Sequence, residues 1–322
     1  MKSFQRSFFG PLLLAATALF SPFPVLADGG HGAVPVREAA DESPLQTLWE
    51  SLWHQSGTPT RVLRWEEPIR VRIDGVRQAS QREMVMQALR AVTTEAGVPL
   101  EDVSGQPGRR ANVRVEIVPD TALEDREPCV TQVDFRTETR IDSARIQMRA
   151  RDVWRCAHHE AMHLMGVRGH PAGATVLSYF PQRVDRLLPL DRVMLHAWYS
   201  PRMQAGMTPF EALAVLADTW VAGEPDPATA ARIRDRFYAT TLDQMRAYAA
   251  GQGDIPAIVR RSGKSTDEGI RNGRGEMALF LGLAHIAGAA GADVDTAQAR
   301  QWLQRAASAG NRPAQDRLAG MR

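Results

Sequence analysis

The sequence predicts an α+β fold: a small twisted sheet with one long helix and one histidine-bearing helix, followed by an α-helical tail. Three observations predict it. Apolar and polar residues alternate over 112–118 and, in part, over 61–73, the period of half-buried strands. Between them, 76–96 carries Met84, Met86, Leu89 and Val92 at helical spacing and closes on Gly97. Beyond position 207 the readable elements are all helical. A chain of 322 residues holds one large or two modest domains. It divides into 1–27, 28–60, 61–206, 207–262 and 263–322.

Residues 1–27 read as a secretory signal. Lys2 and Arg6 precede an apolar run over 8–20, which is short for a bilayer span, and Val25-Leu26-Ala27 offers a small-residue cleavage site. An uncleaved anchor is the competing reading. No Arg-Arg pair lies near the start, which argues against twin-arginine export. No later stretch approaches a span of about eighteen apolar residues. The mature chain is therefore expected in the periplasm or outside the cell. Residues 28–60 read as a linker with a short helix, where Leu45, Leu48, Trp49, Leu52 and Trp53 recur at helical spacing.

Residues 61–73 follow as strand, 76–96 as helix and 112–118 as strand. The stretch 119–143, polar and broken by Pro119 and Pro128, reads as a substrate-side loop or short strand. A short strand at 144–148 is expected at the sheet edge. Arg151 opens the next helix, which carries Val153, Trp154, Ala157 and Leu164 toward the core.

That helix holds the densest chemistry. From Cys156 to His170 the chain reads C-A-H-H-E-A-M-H-L-M-G-V-R-G-H, and four of the 8 His fall between 158 and 170. His159 and His163 are one helical turn apart, so their imidazoles leave the same face. Two neutral nitrogens at that spacing suit a tetrahedral Zn2+ with one position open to water. Glu160, beside the first ligand, can act as general base. Gly166 ends the helix in a left-handed turn, letting the chain return and offer His170 as third ligand. His158 leaves the helix elsewhere and reads as structural. A solvated helix face rich in histidine is the bland alternative.

This stretch resembles the metzincin clan of zinc peptidases, whose signature is H-E-x-x-H-x-x-G-x-x-H/D. It departs by one residue, because 169 is Gly and the histidine arrives at 170. Thr175-Val176-Leu177-Ser178-Tyr179 resembles the clan's Met-turn, with Leu177 where methionine is usual. Leu188, Asp191, Leu195 and Tyr199 are similar to the helix that closes such domains. Through Asp191-Arg192, Tyr199-Ser-Pro-Arg and Gly206-Met207-Thr208 the chain also resembles the bacterial family called domain of unknown function 2927. The resemblance implies a sheet supporting the zinc helix, an edge strand that pairs with an extended peptide, and peptide-bond hydrolysis. It implies zinc held by His159, His163 and His170, with Asp185 or Asp191 as alternatives for the third ligand. Tyr179 would support the oxyanion.

Cys129 and Cys156 are the only cysteines, and in an exported chain they are most simply a disulfide. It closes a loop of roughly 26 residues and contributes about 3–4 kcal/mol on the chain-entropy model. Metal ligation by the cysteines is the alternative. In the tail, Thr208 and Pro209 open a helix, and 210–217 and 226–250 read as helices. A break at 251–265 follows. Ala278, Leu281-Gly282, Gly288, Asp295, Ala299, Trp302, Ala306-Ala307, Gly310-Asn311 and Ala314-Gln315 resemble one Sel1-like repeat, a two-helix unit of the TPR type. A single repeat cannot bury its face alone, so it is expected to pack on the 209–250 helices or on a protein partner. Net charge of +2 with scattered arginines gives no sign of a nucleic-acid partner. The expected substrate is a peptide or protein. The rival reading is an inactive exported scaffold that binds an envelope protein through its tail.

Overall fold

The computed structural model describes residues 43–54, 56–75, 77–137, 139–178, 185–261 and 267–321. Residues 1–27, expected as a secretory signal, and Tyr179 lie outside the described residues.

The fold is mixed α+β around a five-stranded sheet. Helix α1 (Pro44–Glu50) starts on proline, whose missing N–H falls where no intrahelical partner exists. A short hairpin follows, β1 (Trp53–His54) with β2 (Thr58–Pro59). Then come β3 (Ile69–Asp74), α2 (Ala79–Ala96), β4 (Leu100–Asp102) and β5 (Val113–Val118). An antiparallel pair completes the sheet, β6 (Cys129–Thr137) and β7 (Arg140–Arg149). The strand order is β4-β3-β5-β7-β6; β3 is parallel to β4 and β5, and β5 to β7. Val71, Ile73, Val113, Val115, Ile146 and Met148 bury one face, whereas Arg114, Glu116 and Arg145 stand on the other. There Arg145 Nε donates to Glu116 Oε2 at 3.0 Å.

Two expectations are corrected here. The polar stretch 119–143 holds a nine-residue strand, β6, and the start of β7. The edge strand is β6, because β7, which contains 144–148, lies between β5 and β6.

A 3-10 turn over Ala150–Asp152 leads into α3 (Val153–Leu164), the histidine helix. Buried Arg149 donates to Asp152 at 2.7 Å and fixes the junction. Val153, Ala157 and Leu164 are buried as expected, but Trp154 stands half-buried on a cleft wall instead. Helix α2 packs on α3.

The remaining helices are α4 (Pro189–Trp198), α5 (Pro209–Gly223), α6 (Pro227–Ala249), α7 (Ala257–Arg261), α8 (Asp267–Ala287), α9 (Thr296–Ser308) and α10 (Arg312–Ala319). Thr208 caps α5 by accepting the Glu211 N–H, and its own N–H bonds the Glu211 carboxylate at 2.8 Å. Helix α8 pairs with α9 and packs on α5, α6 and β2. The tail thus lies on the 209–250 helices, the first of the two expected arrangements. A Cβ at Gly282 would come within 2.8 Å of Leu303, so only glycine lets α8 and α9 close this far.

The short helix expected over 45–53 contributes its apolar stripe to the core. Leu45, Leu48, Leu52 and Trp53 are wholly buried, and Trp53 packs its ring on Tyr248 of α6. Among the described residues no helix is long and apolar enough to cross a membrane.

Candidate metal centre

Helix α3 projects His159 and His163 from one face, and their ring centroids lie 4.7 Å apart. The His159 Nδ1–H donates to the Val176 carbonyl at 2.9 Å, and the His163 Nδ1–H to the Val167 carbonyl at 2.7 Å. Each proton is thereby held on Nδ1, leaving Nε2 with a lone pair. These two Nε2 atoms are 3.1 Å apart. The Nε2 of His170 joins them at 3.2 Å from His159 and 3.0 Å from His163. Two lone pairs facing each other at that distance repel, and a bound cation would relieve the repulsion. The set is three imidazoles, two of them oriented by backbone carbonyls, a donor set that fits zinc. His159, His163 and His170 could therefore hold a metal ion.

The chain reaches this geometry through the end of α3. Gly166 takes φ 93°, and a Cβ there would lie 2.0 Å from the Leu63 carbonyl oxygen. The last helical carbonyls are satisfied from outside: Trp65 Nε1–H donates to Leu164 at 2.8 Å and the Tyr199 hydroxyl to Met165 at 3.0 Å. Burial pushes the Tyr199 phenol up, so it stays protonated and donates. Gly169, the residue by which the motif departs from its pattern, runs along α1. Its N–H donates to Ser51 at 3.1 Å, and a Cβ would meet the Glu50 carbonyl at 2.2 Å. The extra residue is thus absorbed against α1 and His170 still reaches the triad.

The other candidates for third ligand are placed elsewhere. Asp191 is buried, accepts the Thr175 hydroxyl at 2.5 Å and the N–H groups of Val176 at 3.2 Å and Leu188 at 2.8 Å, and so anchors the 175–177 turn. That turn supplies the carbonyl that orients His159. Asp185 is exposed. His158 is buried outside the triad, and burial pushes its imidazole down while the charge of Asp185 opposes this. Leu177, which the resemblance sets at the Met-turn position, is fully buried in the core.

Burial sets the protonation of the site. It pushes His163 down to about 3, helped by the neighbouring His159, and pushes His159 down against its bond to Val176. Both are neutral near pH 7, the form that ligates. Glu160 is pushed up to about 7 by burial, against a 2.6 Å hydrogen bond donated by the Thr131 hydroxyl. Its carboxylate and the three histidines line one cleft of about 670 Å³. Residues 130–133 of edge strand β6 form the facing wall, and His54, Trp154 and Arg168 complete it. Burial also disfavours the Arg168 charge.

The cysteines pair as expected, Cys129 to Cys156 with Cα atoms 6.1 Å apart. This bond ties the start of β6 to the first turn of α3, so cleft wall and histidine helix move together. The sequence reading missed Thr131 and the carbonyls of Val167 and Val176. Main-chain acceptors leave no trace in side-chain pattern, but the β-branched and aromatic run Val130, Thr131, Val133 and Phe135 was a usable signal for a strand beside the site.

No family model matches the chain, and neither a curated protein nor a solved structure is significantly similar to it.

Proposed function

We propose that the chain is an exported zinc-dependent metallopeptidase of metzincin type, related to the 2927 family, that hydrolyses peptide bonds. The observation that carries this reading is the convergence of three imidazole Nε2 atoms to 3.0–3.2 Å beside a buried carboxyl in a strand-edged cleft. His159, His163 and His170 would hold the zinc. When bound, zinc polarises the scissile carbonyl and lowers the pKa of water to about 7.

The chain's own groups do the rest. The free edge of β6 pairs with an extended peptide through main-chain hydrogen bonds and lays the scissile bond across the cleft. Glu160 takes a proton from the attacking water and passes it to the leaving nitrogen. Burial favours the protonated form of this carboxyl, and the charge of bound zinc would favour the carboxylate, so both states needed for that task are accessible. Thr131 fixes the carboxyl through Oε2 and leaves Oε1 for the proton transfer. The fold supports the same reading, since a mixed sheet with one antiparallel edge strand backs the histidine helix.

Elemental analysis of the purified protein with a peptide-library cleavage assay tests this. Wild type carries one zinc per chain and cleaves; Glu160→Gln keeps the zinc and loses turnover. Equal hydrolysis by the variant would end the reading. Wild type without stoichiometric zinc would favour the inactive scaffold.

A further inference from the structure

Arg168 stands between two of the three converging histidines in sequence and lines the same cleft. The backbone on both sides of it is fixed. The preceding Val167 carbonyl accepts from His163, and the following Gly169 N–H donates to Ser51. The guanidinium is thus delivered into the cleft by a braced loop.

Other cations of the cleft wall are already neutralised. Arg155 pairs with Asp152 at 2.8 Å, and Arg126 with Glu124 at 2.6 Å. Asp125, also in the wall, is taken by Arg149 and Arg151. Arg168 makes no ion pair and no hydrogen bond among the described residues, although it is half-buried. Arginine does not shed its proton to escape this cost. An unpaired, partly desolvated guanidinium is unfavourable until an anion arrives. Its planar fork matches a carboxylate with two parallel hydrogen bonds.

We infer that Arg168 docks a carboxylate of the substrate and selects peptides that present one near the scissile bond. This rests on the peptidase reading for the identity of the ligand as a peptide. The carboxylate has two possible sources, an Asp or Glu side chain or the free C-terminus.

Binding separates these and does not need turnover. In the zinc-loaded Glu160→Gln protein, fluorescence anisotropy would follow labelled hexapeptides in matched pairs. One series places Glu or Gln at successive positions with an amidated C-terminus; the other compares free acid with amide ends. One carboxylate peptide should bind at least about tenfold tighter than its amide twin, the scale of a charge-assisted pair. Adding Arg168→Gln should collapse that ratio to about one, and Arg168→Lys should restore part of it. Thermal melts of each variant establish that the fold is kept. A preference for Glu assigns the side-chain source, and a preference for the free acid assigns the terminus.

A ratio near one in the Arg168-containing protein, with or without peptide binding, overturns the inference. So does a preference that survives Arg168→Gln. If the ratio collapses as expected but wild type cleaves no peptide, the anion site stands and the peptidase reading fails. If wild type cleaves and no carboxylate is preferred, the reverse holds.

Discussion

Glu160 is almost wholly buried, and the Thr131 hydroxyl donates to its carboxylate. Thr131→Val keeps shape and removes that donor. In the proposed reaction kcat/KM should fall about tenfold, the scale of one positioned proton-transfer contact, with zinc content unchanged. An unaltered rate would show that Thr131 does not position the base. Asp191 anchors the turn that orients His159. Asp191→Asn places an amide N–H₂ against N–H donors and should cost about 1–3 kcal/mol, read as a lower urea midpoint. Burial pushes the Asp191 carboxyl up to about 6, against its three donors. A value raised above that of the unfolded chain means that stability is full below about pH 4 and is lost as pH rises through about 6. The asparagine cannot titrate, so the advantage of wild type over Asp191→Asn should narrow from about pH 4 to about pH 7. A gap that does not change with pH would contradict this.

At the scale of elements, the end of α3 and its tie to β6 decide whether the triad forms. Gly166 is left-handed and pressed on the Leu63 carbonyl. Gly166→Ala combines backbone strain with a steric overlap and should cost at least about 2 kcal/mol, measured by urea unfolding. Retained stability would mean that the turn can be rebuilt. The disulfide joins the edge strand to the helix. A Cys129→Ser, Cys156→Ser double variant should lose about 3–4 kcal/mol. Its apparent zinc affinity should change far less than that of His170→Ala, because the cysteines are not ligands.

At the scale of the whole molecule, one buried carboxylate joins segments far apart in sequence. Glu50 of α1 has no exposure and accepts from Gln46 at 3.0 Å. It also accepts the Ala172 N–H at 3.2 Å, two residues after His170, and pairs with Arg261 of α7. The third histidine is thus braced by the N-terminal segment, which the helical region in turn holds. Arg261→Met leaves Glu50 buried beside an apolar group and should cost about 3 kcal/mol. Zinc affinity should also fall about tenfold, since supporting contacts behind ligands typically matter on that scale. Zinc binding that is unaffected would show that the loop holds its shape without α7.

The strand at 113–118 and the long helix before it, the two histidines on one helix face, the left-handed glycine and the cysteine pair were legible in the residues. Each depends on local rules: a period of two or 3.6, a turn that needs positive φ, a pair of thiols with no other partner. Other features followed only from tertiary structure. The edge position of β6 depends on which strands pair, the completion of the triad by His170 despite Gly169 on a contact between Glu50 and Ala172 more than a hundred residues apart, and the turning of Asp191 to the backbone on main-chain N–H donors. Sequence spacing places a side chain on its own element. Only packing between elements decides which carbonyl, carboxylate or helix end it meets.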